Sequence, residues 1–398
     1  GRGGELTPTL CLRTVLAESP QASDGSAQVD AKAKAASGKK KKKKRYIYGH
    51  QAVVQQEELG LKLSYPIRRG LVDKLDEAEA IWNHCFKKNE MRPQESSVLL
   101  ALRPLTPKVD KQKIAQILFE SIGVPGAYVS DHCLLAMYSV GSMHGVVMDI
   151  GHETTFATAI LHGQSYVPST LRLDIGGNHI TRYLAHMFAG GGKKGGGGVE
   201  APLSPQMAFA YEQIKEKHCF VAENFSAELK KAALYDSSKG GKNSFRLPDG
   251  RDITVGGASE LCQAPEALFN PSMLSGLSSS RHSPVETHGD GISTLLQHTI
   301  EKCDHSIRPE LYKSMLVCGG PAMFPGMKRR LHREMLSVMP QTTSSSSLKY
   351  RLHLPPQRRH SSYIGGSILA SLPLFHQIKM KRSEYAECGP SLVDRKCC

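Results

Sequence analysis

Gly145–Leu161, GVVMDIGHETTFATAIL, is the stretch from which the rest of the chain is read. The apolar run Val146–Val147–Met148 leads into Asp149 and, two residues on, Gly151. A second, alternating run extends from Thr154 to Leu161. Two such runs across a tight turn predict adjacent strands with an acid at the end of the first. A turn of this kind points backbone N–H groups into a cleft, and Asp149 sits where a Mg²⁺–phosphate could use it. Asp-x-Gly after a strand is also, and more commonly, a plain turn.

Outside that stretch, composition bounds the possibilities. A chain of 398 residues can bury a large core and predicts two or more domains. Its 40% hydrophobic content fits a soluble globular protein, and no apolar run approaches the ~20 residues that span a bilayer, so no membrane partner is expected. The ten cysteines show no C-x-x-C spacing. Cys397–Cys398 reads as reduced thiols, which points to a cytosolic or nuclear compartment without a structural metal. The net charge is +14, and half of that excess lies in Lys39–Arg45. The remainder, spread over so large a chain, says little about partners.

Residues Ser19–Arg45 are rich in Ser, Ala, Gly and Lys without periodicity and predict a loop. Its Lys39–Arg45 run has three readings: a solvated insertion, a nuclear-import or nucleic-acid patch, or a surface for another anionic partner. Gly190–Gly198, GGGKKGGGG, has linker composition; a helix precedes it, whereas a phosphate loop follows a strand and opens a helix. Ser278–Ser280 and Ser344–Ser347 read as surface loops. Leu61–Tyr65 and Ser97–Leu102 predict strands. Helices are predicted over Asp73–Lys87, with Trp82 in the core, and after Pro107, where Ile114, Ile117, Leu118 and Ile122 recur at helical spacing. Further helices are predicted over Thr181–Phe188, Ala208–Ala222 and Ile368–Ile378. Strands alternating with helices in two halves argue for an α/β architecture.

Six segments carry a resemblance across nearly the whole chain. They are Tyr363–Cys397 (YIGGSILASLPLFHQIKMKRSEYAECGPSLVDRKC), Leu171–Gly177 (LRLDIGG), Gln213–Ala222 (QIKEKHCFVA), Pro265–Ser272 (PEALFNPS), Met323–Gly326 (MFPG) and Glu77–Trp82 (EAEAIW). In order and spacing they resemble actin and the actin-related proteins. The resemblance implies the actin-like ATPase fold: two related domains, four subdomains, and a nucleotide cleft between them. The small domain is then expected over 1–140 and 360–398, with the low-complexity loop 19–45. The large domain is expected over 141–359, with the insertion 190–198. The opening GRGGELTPTLCLRTVLAE looks like the family's stretch just after its first hairpin. That hairpin, with its phosphate loop and lysine, has no counterpart in the sequence, and either a fragment or a lost element accounts for this.

The same resemblance implies an ATP site with Mg²⁺. Asp149 and Gly151 match the acid and first glycine of the second phosphate loop, with Asp149 serving the metal indirectly. His152 and Glu153 replace the next acid and glycine, and Glu153 brings a negative charge toward the phosphates. Gly177 lines the cleft, and Lys215 and Glu216 match the purine- and ribose-contacting pair, with Glu212 in place of an arginine. Gly319, Gly320, Met323 and Phe324 match the other wall of the base pocket, and Arg359 stands for a lysine. The groups that orient the attacking water map to His132 and Phe156. Phe156 cannot hydrogen-bond a water, so efficient hydrolysis is not expected. Tyr138, Gly141, Gly163, Leu369, Leu372, Leu374 and Ile378 match a hydrophobic groove that accepts amphipathic partner helices, with Leu374 and Met143 altering its lining. Ser272–Ser283 is more polar than the apolar plug it replaces, which argues against two-stranded filaments.

Three functions follow. The first is a divergent actin-like structural subunit of the cytoskeleton or of a multiprotein complex, binding ATP with weak or no hydrolysis. Its partners would be other actin-like subunits or actin-binding proteins, in the cytoplasm. The second is a conventional ATPase cycling into filaments. The third is a nuclear, chromatin-associated protein using Lys39–Arg45.

Overall fold

The computed structural model describes residues 4–19, 45–189, 203–234, 244–255, 259–275, 291–338 and 350–397. The loop 19–45 apart from its two ends, the Gly190–Gly198 tract, both serine tracts and Ser272–Ser283 beyond residue 275 lie outside the described residues. The chain folds as two compact units, one of residues 10–68 and 72–92, the other of residues 1–9, 69–71 and 93–398. The boundaries 140/141 and 359/360 implied by the resemblance both fall inside the larger unit. Among the described residues, no helix is long and apolar enough to cross a membrane.

In the smaller unit, β1 (Leu16–Glu18) lies between β2 (Tyr46–Tyr48) and β3 (Leu63–Ser64), antiparallel to both. The strand expected over Leu61–Tyr65 is therefore confined to its centre. Helix α1 (Leu75–Lys88) starts with Asp76 and Glu77 and ends with Lys87 and Lys88, charges that complement its dipole. Ala78 and Ile81 are its buried residues. Trp82 is half-buried; it lies one step round the helix from Ile81 and so leaves the core face expected for it.

The larger unit holds two mixed sheets. In one, β4 (Val98–Leu102) runs parallel to β5 (Gly126–Asp131). Between them, α2 (Lys108–Gln116) begins after Pro107 and continues as a wider π-helical turn over Ile117–Ile122. Helix α3 (His132–Tyr138) follows directly on β5, its first turn capped by Asp131. Next come β6 (Gly145–Ile150), β7 (Thr155–Leu161) and β8 (Gln164–Leu173), antiparallel neighbours in the second sheet. Val146, Val147, Met148 and Ile150 are all fully buried, as a continuous apolar run requires when both faces of a strand are covered.

Helix α4 (Gly177–Phe188) begins four residues before the predicted start. Helix α5 (Pro205–His218) starts where Ser204 Oγ accepts the N–H of Met207 at 3.3 Å, with Pro205 at its first position. It ends at His218 rather than at Ala222. From Cys219 the chain is extended, and Phe220 and Val221 donate their N–H groups to Leu261 and Pro325. After α6 (Ile292–Glu301), β9 (Met315–Cys318) enters the second sheet parallel to β6. Helix α7 (Met327–Val338) precedes β10 (Leu352–His353), which completes the strand order β8-β7-β6-β9-β10.

Helix α8 (Ser361–Ser371) stops before Pro373, which forces Leu372 into the extended region (ψ 145°); a separate turn, Phe375–Ile378, follows. The continuous helix expected over Ile368–Ile378 is thus two pieces. Last, β11 (Met380–Lys381) pairs with β5. Helix α8 crosses α3 so closely that a Cβ on Gly365 would stand 1.6 Å from the carbonyl oxygen of Leu135.

Candidate functional site

The loop between β6 and β7 is closed by Gly151 donating its N–H to Thr154 O at 3.0 Å. Two carbonyls of the same loop receive the first N–H groups of α4: Gly177 donates to Gly151 O at 3.0 Å and Asn178 to His152 O at 2.7 Å. The Gly176 N–H goes to His179 Nδ1 at 3.2 Å. Burial, with Arg182 nearby, lowers the His179 pKa to about 4, so the ring stays neutral and can accept that bond. The amides of Gly151, Gly176, Gly177 and Asn178 are therefore all used inside the protein.

Asp149, at the end of β6, is held from α3. His132 Nδ1 lies 2.8 Å from Asp149 Oδ2. Burial disfavours the charged ring, but the facing Asp149 carboxylate, with Asp131 nearby, outweighs it and the His132 pKa is raised. The His132 ring meets the buried Phe156 edge-on at 6.0 Å, and the Arg103 guanidinium lies 5.6 Å from the other ring's centroid. Asp149 Oδ1 takes no hydrogen bond from the described residues. Beside it, Gly319 has φ +98°, and a Cβ there would lie 2.2 Å from Ile150 O and 2.5 Å from Asp149 Oδ1. Only glycine lets β9 end this close to the acid.

The other matched residues lie on α5, in the turn after β9 and just before α8. Lys215 is buried and donates to Gly177 O at 3.0 Å and to Thr181 Oγ1 at 2.9 Å. Its ammonium is thus tied to the first turn of α4. Glu216, on the same helix, reaches Arg359 across 3.5 Å. Gly320 faces open space. Met323 is exposed, whereas Phe324 is buried in the main core. Glu153, expected to turn its charge toward the phosphates, has its carboxylate on the backbone N–H of Arg69. Neither that contact nor the His132–Asp149 pair leaves a sequence signal, because the partners lie far apart in the chain. Asp131, His132 and Cys133 also bring ligand atoms within 4.8 Å of one another. Asp131 is committed elsewhere: Oδ1 caps Cys133 N–H at 2.8 Å and Oδ2 accepts from Ser165 Oγ at 2.9 Å.

Of the groove residues, Tyr138 donates to Gly163 O at 2.9 Å, and Gly163 packs against Met143. Gly141 turns with φ +69°. Leu372 and Leu374 are exposed, Ile378 is half-buried, and Leu369 is buried. Every described cysteine is free.

The sequence model described as Actin matches residues 1–398. The chain is similar to actin-like protein 9 of Homo sapiens, with 33% identity over 398 residues, 100% of this chain and 85% of that protein. It is 31% identical to actin-like protein 9 of Bos taurus over 398 residues, again 100% of this chain and 85% of the relative. With a match over its whole length, this chain belongs to the actin family.

Proposed function

We propose that this actin-family chain is a structural subunit, of the cytoskeleton or of a multiprotein complex, in which ATP with Mg²⁺ serves as a clamp and is turned over slowly or not at all. The observation that carries the proposal is Phe156. It is 1% exposed and packed between His132 and Arg103, where an attacking water would need a hydrogen-bonding side chain. Support for a nucleotide comes from Gly320, which faces open space and accepts the N–H of Met323 at 3.0 Å, and from the Glu216–Arg359 pair and the buried Lys215 beside Gly177. Asp149 has one carboxylate oxygen to offer a hydrated metal. Bound Mg²⁺ would neutralise phosphate charge that Gly151, Gly176 and Gly177, with their amides engaged, do not meet.

In this arrangement His132 holds the Asp149 carboxylate in place rather than positioning a water. Linkage then stabilises the fold by RT ln(1 + [L]/Kd), about 4 kcal/mol when ligand is a thousandfold above Kd. Titration of the full chain with a fluorescent ATP analogue and Mg²⁺ should give micromolar or tighter binding and a raised melting temperature. Phosphate release should stay at background as protein concentration rises. Release that accelerates with self-assembly would instead establish a filament-forming ATPase, and absence of binding would remove the clamp.

A further inference from the structure

Helix α7 has two unlike faces. Met327, Arg330, Leu331 and Met335 are buried, and Arg330 is locked there by Glu266 at 2.7 Å and Glu334 at 2.6 Å. The outer face borders a cleft of about 560 Å³ between α7, the residues leading into β10, and Glu223. Four fixed positive charges line this cleft, Lys328, Arg329, Arg333 and Arg351, against the single carboxylate of Glu223. Among the described residues the side chains of Lys328, Arg329 and Arg351 have no ion pair or hydrogen bond, while Arg333 Nη1 donates to the backbone oxygen of Glu223 at 2.9 Å. The intervening sequence, residues 339–349, MPQTTSSSSLK, supplies no acid. A concave site with so many uncompensated cations focuses a positive potential.

The cleft is not uniformly polar. Leu336 is 57% exposed at its edge and Leu352 is buried in its floor. Tyr350 is pinned beside them, its hydroxyl 2.5 Å from His332 Nδ1 and the two rings 5.3 Å apart. A free phosphate would leave this apolar ledge unused, and a nucleic-acid backbone would meet it with nothing to bury. A peptide with carboxylates on either side of one apolar side chain uses both features.

We propose that this cleft docks an acidic segment of a partner protein. An apolar anchor of the segment lies against Leu336 and Tyr350, and its flanking carboxylates pair with Lys328, Arg329 and Arg351. The site is separate from the residues assigned to nucleotide and stands whether or not nucleotide binds. The test is anisotropy titration of the full chain with a fluorescein-labelled peptide of glutamates around one central leucine, at low salt.

Arg329→Glu combined with Arg351→Glu should weaken binding at least tenfold, and an alanine-centred peptide should bind the parent chain several-fold more weakly. Lys230→Glu combined with Lys302→Glu makes the same charge change on other exposed residues and should leave affinity within twofold. All four substituted residues are exposed, and unchanged melting curves confirm that the variants fold. If a variant does not fold, the parent chain is cross-linked with a peptide carrying a photoreactive group at its centre, and adducts should map to α7 and Tyr350. Equal loss in both double variants, adducts elsewhere, or displacement of the peptide by an equally charged DNA oligonucleotide at lower concentration would overturn the proposal.

Discussion

At the scale of single residues, the acid of the β6–β7 loop is shared. Any metal that draws on Asp149 must compete with the His132 ring 2.8 Å away. His132→Gln keeps a hydrogen bond to the carboxylate but cannot carry the positive charge that the raised pKa favours on the ring. It should lower the Kd for Mg·ATP about five- to tenfold, roughly the 1–1.4 kcal/mol of one charge-assisted hydrogen bond, in the same fluorescence titration. The two histidines of the site have opposite effects on stability as pH changes. The His132 pKa is raised, so its contribution is complete below the unfolded value near 6.5 and is lost as pH rises through the folded value. His179, held to about 4, contributes above 6.5 and loses that contribution as pH falls toward 4. The unfolding free energy of the parent, from urea titrations, should therefore drop between those values by more than that of His179→Asn. The difference should be on the order of 2 kcal/mol. None of this was readable in the sequence. Asp149 and Gly151 announced the loop through strand periodicity and turn chemistry, but the bond that fixes the acid joins two elements seventeen positions apart, at His132 and Asp149.

At the scale of elements, α8 sets the position of α3 and so of His132. Gly365 lies against the backbone of Leu135, and Ser362 Oγ donates to His132 O at 2.9 Å. Gly365→Ala must push the two helices apart, and overpacking of this kind costs about 1–3 kcal/mol. A thermal melt should show that loss, and the Mg·ATP Kd should rise with it because Asp149 is held from the same helix. Periodicity located these elements well where the pattern was long: β4, α1, β6 and β7 all lie where it placed them. It failed at ends governed by distant partners. Helix α5 stops at His218 because Phe220 and Val221 are needed by Leu261 and Pro325. The stop of α8 was legible, since Pro373 restricts Leu372, but the apolar run around it suggested a longer helix.

For the whole molecule, fold and family were readable because the quoted segments run in the family's order from Glu77 to Cys397. Site chemistry was less readable, because replacing one side chain leaves the backbone signal intact. Phe156 keeps β7 a strand while removing a hydrogen-bonding group, and Glu153 keeps the turn while finding the N–H of Arg69. The distribution of thiols has a consequence for how opening of the chain can be followed. Cys133, Cys219, Cys262, Cys303, Cys318 and Cys397 are buried in the larger unit, while the smaller unit carries the exposed Cys11 and the half-buried Cys85. Burial pushes the Cys219 thiol up to about 12 and holds Cys133 and Cys318 well above their usual range. These groups are unreactive until their surroundings open. A timed alkylation read by peptide mass therefore works as a clock: Cys11 gains its adduct at once, the half-buried Cys85 and Cys388 follow, and each adduct at one of the six buried thiols dates the moment at which its part of the larger unit first admits water.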